Sequence, residues 1–110
     1  MGVFAVGDIV LVPFPYSDRP TAAVRPALIV QRTDHGDFLI CMITTQGYGD
    51  SRIVPISGAE QEQCGLIRAS VVRYSKIATI AGRVIIKKLG AASPAFILDI
   101  KDQISRWISE

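Results

Sequence analysis

The chain has 110 residues, a formal net charge of +2, 49% hydrophobic and 20% charged residues. That is one domain with one compact core, spanning 1–110, and a charge so small does not by itself mark a nucleic-acid binder. Two cysteines, Cys41 and Cys64, without a CxxC pair or a Cys/His cluster, exclude a disulfide framework and a metal site of that type. The N-terminus lacks the basic and long apolar regions of a signal peptide, and no stretch reaches transmembrane length, so a cytoplasmic protein is expected.

Gly7-Asp8 opens a first strand, Ile9 to Phe14, whose end is made irregular by Pro13 and Pro15. A polar loop, Tyr16 to Val24, leads into a second strand, Arg25 to Arg32. A tight turn at 34–37 returns the chain into a third strand, Phe38 to Thr44, so this pair reads as a hairpin. Gly47 and Gly49 break the chain before a short fourth strand, Arg52 to Ile56, and 57–65 reads as a polar loop. Ser70 to Ile80 is a β-branched run and gives the fifth strand, with a short sixth at Val84 to Lys88. Short strands separated by turn signals predict a small barrel or sandwich. At the end, Ser93-Pro94 is a helix start, since Ser caps and Pro suits the first helical position. Phe96, Ile97, Ile100, Ile104, Trp107 and Ile108 then draw one helical stripe, with Asp99, Lys101, Asp102 and Arg106 on the other side. The fold class is therefore mainly β, short antiparallel strands with a C-terminal amphipathic helix.

Charge is unevenly spread. Arg68, Arg73, Lys76, Arg83, Lys87 and Lys88 follow one another with no acid between Gln63 and Leu98. Such a block suits a polyanion, although a solvated face has the same composition. The catalytic options are narrowed by what is missing. A single histidine, His35, excludes a His-His pair, and its turn setting gives no triad. No Gly-rich loop precedes a helix, and the acids are scattered rather than clustered for magnesium. Chemistry then rests on Arg, Lys, Thr, Ser, Tyr or backbone groups, with no cofactor and no metal expected.

Two places draw notice. Arg25-Pro26 stands where a polar loop enters the apolar strand Ala27 to Val30, a good position for a guanidinium to grip a phosphate with two hydrogen bonds. The same Arg can instead pin the loop by pairing with Asp8 or Asp18. The third strand ends in Thr44-Thr45-Gln46-Gly47, which sets hydroxyls and an amide at a strand end, for phosphate or base edges or simply for a turn.

Taken in order, these pieces resemble the MazF/PemK/Kid toxin family. They are Gly7-Asp8-Ile9-Val10 to Phe14-Pro15; Arg25-Pro26-Ala27-Leu28-Ile29-Val30; Ile43-Thr44-Thr45-Gln46; Gly65-Leu66 with Ser70-Val71-Val72-Arg73, Lys76 and Thr79-Ile80; and Leu89-Gly90 before the last helix. The resemblance implies an SH3-like barrel, a homodimer and metal-independent cleavage of single-stranded RNA, chiefly mRNA. In that reaction the 2′-hydroxyl attacks the adjacent phosphorus, leaving a 2′,3′-cyclic phosphate and a 5′-hydroxyl. It also implies a cognate antitoxin with an acidic tail, and DNA binding together with that antitoxin. Arg25 matches the family's catalytic Arg and Thr44 its catalytic Thr, both on the scissile phosphate. Arg73 matches an Arg that one branch uses as proton donor or clamp. Tyr16, Ser17, Asp18, Arg19, Thr45, Gln46, Arg52 and Ser75 would line the RNA groove, with Tyr16 able to stack a base. That branch carries Asp two residues after the Arg, where this chain has Ser75, and the G-x-E-Q pattern of many members is replaced by Ser17 to Thr21. Two other readings stay open: a gyrase poison of the CcdB type on the same barrel, and a member that binds RNA or partner without cutting.

Overall fold

The computed structural model describes residues 3–14, 23–47 and 49–110. Six strands, β1 (Asp8–Phe14), β2 (Ala23–Arg32), β3 (Asp37–Thr44), β4 (Ile53–Ile56), β5 (Ser70–Ala81) and β6 (Lys87–Ala91), form one antiparallel sheet in the order β4-β5-β3-β2-β1-β6. Consecutive strands β1, β2 and β3 make a meander. The long β5 then returns beside β3, and β6 closes back on β1. Overall extents of 33 × 33 × 32 Å require the sheet to curl strongly. The curl is barrel-like, but β4 and β6 remain the two edges, so the hydrogen-bond ladder is not closed as the expected barrel would be.

Alternation along the strands fills both faces of the sheet with apolar side chains. One cluster holds Val10, Val12, Phe14, Ala27, Ile29, Ile40 and Ile80. The other holds Ile9, Leu28, Val30, Cys41, Ile43, Val72 and Tyr74, and it is covered by a helix, α2 (Pro94–Ile108). From α2, Ile100 is fully buried, while Phe96, Ile97, Ile104 and Trp107 pack on the same cluster. Ile108, the last residue of the predicted stripe and of the helix, is instead exposed. The start of α2 is as the sequence indicates: Ser93 Oγ accepts from the Phe96 N–H at 3.2 Å, and Pro94 takes the first helical position.

Two local expectations are corrected. The stretch 57–65 is not a plain loop but carries a short helix, α1 (Gly58–Gln63). None of its six residues is buried, so it shows no apolar stripe in the sequence. It is held by tertiary contacts: Glu60 accepts from the Ser93 N–H at 2.8 Å and from Ser93 Oγ at 2.7 Å. Immediately after it, Gly65 and Gly90 let two backbones touch, since a Cβ on Gly90 would lie 2.4 Å from the Cys64 carbonyl carbon. The sixth strand also lies later than expected. Residues 82–84 form a 3-10 turn, and pairing with β1 begins only at Lys87.

Cys41 is fully buried, as its apolar run predicts. Burial pushes its thiol up to about 12, and Cys64 is likewise pushed up to about 12 by burial and then by the neighbouring Glu60 charge. No helix among the described residues is long and apolar enough to cross a membrane.

Candidate active site at the mouth of the sheet

The register between strands explains how distant residues meet. Ala27 on β2 pairs with Met42 on β3, and Met42 pairs with Arg73 on β5. Paired residues share a face, and so do residues two apart on a strand. Arg25 and Thr44 therefore point to the same side as Arg73, at the end of the sheet where β2 begins and β3 stops. The β2–β3 ladder ends at Ala27↔Met42 because the next residue, Pro26, has no N–H to extend it. Pro26 also holds Arg25 in extended backbone. Arg25 thus stands beyond the end of the β2–β3 ladder, still paired with Val12 on β1 and exposed to solvent, and none of the ion pairs among the described residues involves it. Asp8, one of the carboxylates that could have pinned it, is buried and paired with Lys88 at 3.2 Å.

Thr44 is half-buried, and its hydroxyl oxygen accepts from the Gln46 N–H at 3.1 Å, closing a small turn. The hydroxyl proton remains available to donate. Gly47 follows with φ +95, a backbone that favours glycine. Its missing side chain matters as well: a Cβ there would stand 3.1 Å from Asp50 Oδ2, 3.5 Å from Arg73 Cδ and 3.7 Å from Thr44 Cγ2. Thr44, Asp50 and Arg73 thus converge on one glycine. Arg73 Nη2 lies 3.0 Å from Asp50 Oδ2, with the two side chains 28% and 42% exposed. Arg73 Nε is buried and has no hydrogen-bond partner among the described residues. A buried donor left over at a mouth is one that an incoming anion or water can satisfy.

Other predicted residues lie apart from this cluster. Thr45 and Gln46 are exposed at the rim, with Thr45 facing the other side of the sheet, where it lines a pocket of about 380 Å³ with Pro26, Leu66, Ile67, Arg68 and Leu89. Arg52 turns toward α2 and binds Glu110 at 2.9 Å. Ser75 is exposed in a bulge: Cys41 pairs with Ile77 and Met42 with Arg73, so Tyr74, Ser75 and Lys76 are extra on β5. The bulge lets Tyr74 stay buried against Trp107, ring centroids 6.0 Å apart. Tyr16, Ser17, Asp18 and Arg19 fall outside the described residues. The basic run is dispersed by folding, with Arg73 at the mouth, Lys88 paired on the β6 edge and Arg83 at the opposite end, beside Arg32 in another pocket. Asp50 was not singled out by sequence reasoning. Its only signal there is its place between two glycines and Arg52.

A curled antiparallel sheet with one covering helix, and arginine and threonine on one face at its mouth, defines a small, mainly β protein. The PemK-like, MazF-like toxin model of type II toxin-antitoxin systems matches residues 5–108, and the chain belongs to that family. A comparison with curated proteins found no match. Among solved structures, MazF from Deinococcus radiodurans is similar at a TM-score of 0.75 and 16% identity, covering 97% of each chain. The Mycobacterium tuberculosis toxin MazF-mt6 is similar at 0.71 and 21% identity, covering 93% of this chain and 96% of that one. A mycobacterial endoribonuclease in complex with its cognate antitoxin is similar at 0.72 and 17% identity, covering 94% and 92%. At such identities the likeness establishes the fold.

Proposed function

We propose that this chain is the toxin of a type II toxin-antitoxin pair and acts as a metal-independent endoribonuclease on single-stranded RNA. The observation that carries the reading is that Thr44 and Arg73 border Gly47 on the face to which the strand register also assigns Arg25, at the open end of the sheet. RNA brings its own nucleophile, so the protein needs only to position the 2′-hydroxyl, move protons and stabilise charge. In this reading the guanidinium of Arg25, free of ion pairs among the described residues, grips the scissile phosphate and takes up the charge that grows on it. The hydroxyl proton of Thr44 donates to the same phosphate, and Arg73 supplies a second clamp from the far side. The 2′-oxygen attacks phosphorus, the 5′-oxygen leaves, and a 2′,3′-cyclic phosphate and a 5′-hydroxyl result.

Gln46 at the rim can add a contact to the RNA beyond the cut, while the groove roles expected for Tyr16, Ser17, Asp18 and Arg19 lie outside the described residues. Arg52, already held by Glu110, adds charge rather than a direct grip. The partners are the RNA, a second copy of the chain, and an antitoxin whose acidic tail competes for the same basic mouth. The similar structure solved with its cognate antitoxin supports that partner class. The test is incubation with a long single-stranded RNA in EDTA. Fragments with 5′-hydroxyl and 2′,3′-cyclic phosphate ends are expected, and 5′-phosphate ends or a requirement for metal would contradict the mechanism.

A further inference from the structure

Attack by a 2′-hydroxyl is helped by a group that accepts its proton, and few described residues can do so. His35 is exposed in the turn joining β2 to β3, at the opposite end of those strands from Arg25 and Thr44. Both thiols are buried and pushed up to about 12. Position 75 holds Ser rather than Asp, and arginine gives up its proton too reluctantly to serve.

One carboxylate does stand in the cluster. Asp50 lies on the segment between β3 and β4, with Oδ2 on Arg73 Nη2 at 3.0 Å. Its own N–H donates to the Gly47 carbonyl at 3.0 Å, so the backbone fixes where the side chain starts. Gly47 leaves the space that Oδ2 approaches, and Thr44 Cγ2 borders that same space. At 42% exposure the carboxylate keeps one side open to a substrate. Four of the other described acids are engaged elsewhere: Asp8 on Lys88, Glu60 on Ser93, Asp102 on Arg106 and Glu110 on Arg52.

We propose that Asp50 is the general base of the cleavage, delivering from the β3–β4 segment the carboxylate that position 75 lacks. The proposal rests on the nuclease reading above. Arg73 orients the carboxylate and shares the phosphate. The 2′-O–H proton passes to Asp50 as the 2′-oxygen bonds to phosphorus. The P–O5′ bond then breaks, and O5′ takes a proton from water. The hydroxide left behind recovers the proton from Asp50, and the enzyme ends as it began.

The experiment compares wild type, Asp50→Ala and Asp50→Glu in single-turnover cleavage of one RNA in EDTA, with and without added formate. Binding is measured separately on the same RNA with 2′-deoxy substitution at the mapped cut site. Asp50→Ala should cut roughly 10²–10³-fold more slowly, the usual worth of a general base. Formate should restore part of that rate, and Asp50→Glu should exceed Asp50→Ala, while affinity for the uncleavable RNA stays within about threefold of wild type. Rescue by a small carboxylate is a readout that a merely structural role does not produce. Asp50→Ala cleaving at the wild-type rate overturns the proposal, as does a slow variant that formate leaves slow. A wild type that cuts no RNA removes the nuclease reading itself, an outcome distinct from a cutting wild type indifferent to Asp50.

Discussion

Arginines stand in two regions of this molecule under different conditions. Along α2, Arg106 is paired with Asp102 at 3.1 Å, one turn apart, and Arg52 is paired with Glu110 at 2.9 Å. Both pairs are exposed and neutral as units, of the kind that contributes little to stability. At the mouth, Arg25 stands outside every described ion pair, and Arg73 is paired at Nη2 but keeps a buried Nε without a described partner. The same residue type is thus spent in one place and held in reserve in the other. Net charge does not distinguish the two places. What differs is donor capacity without a partner among the described residues, beside a hydroxyl that can also donate.

That contrast is broken most severely by Arg25→Ala, which should lower single-turnover cleavage by about 10³-fold, as loss of a main charge-stabilising donor does. Thr44→Ala removes a neutral donor and should cost less, about 10–10²-fold in the same assay. Gly47→Ala keeps every functional group but forces a side chain into a backbone at φ +95 and against Asp50 Oδ2. Cleavage should fall about 10-fold through misplacement alone, with the melting temperature checked in parallel. At the other region, Arg106→Ala should leave cleavage within about twofold and stability within ~0.5 kcal/mol by denaturant titration. Arg52→Ala should behave similarly in stability, with only a few-fold weakening of RNA affinity at low salt.

Much of the fold is legible in the sequence. β-branched runs and turn residues mark the strands, and Ser93-Pro94 with the stripe from Phe96 to Trp107 marks α2. The features that escape are those made by long-range contact. α1 carries no buried residue, so no period announces it, and it exists through Glu60 on Ser93 and the Gly65–Gly90 approach. The bulge at Tyr74 to Lys76 is set by the need to bury Tyr74 on Trp107 while Arg73 stays in register with Met42. In the site, Arg25 and Thr44 are readable because each stands at an end of an apolar strand. Asp50 is not, because its meaning comes from Arg73, which lies on β5, beyond β4 and α1 in the chain. Arg52 shows the reverse: its position in the chain points to the groove, and its side chain goes to Glu110.

In the proposed reaction RNA docks its phosphate on Arg25 and Arg73 at the mouth. This docking is tested most directly by following the Nε–H resonances of the arginines by NMR while RNA, made uncleavable by a 2′-deoxy substitution at the cut site, is added. The Nε–H signals of Arg25 and Arg73 should shift with saturation while that of Arg106 stays still. RNA that binds while Arg25 and Arg73 remain unmoved would contradict it.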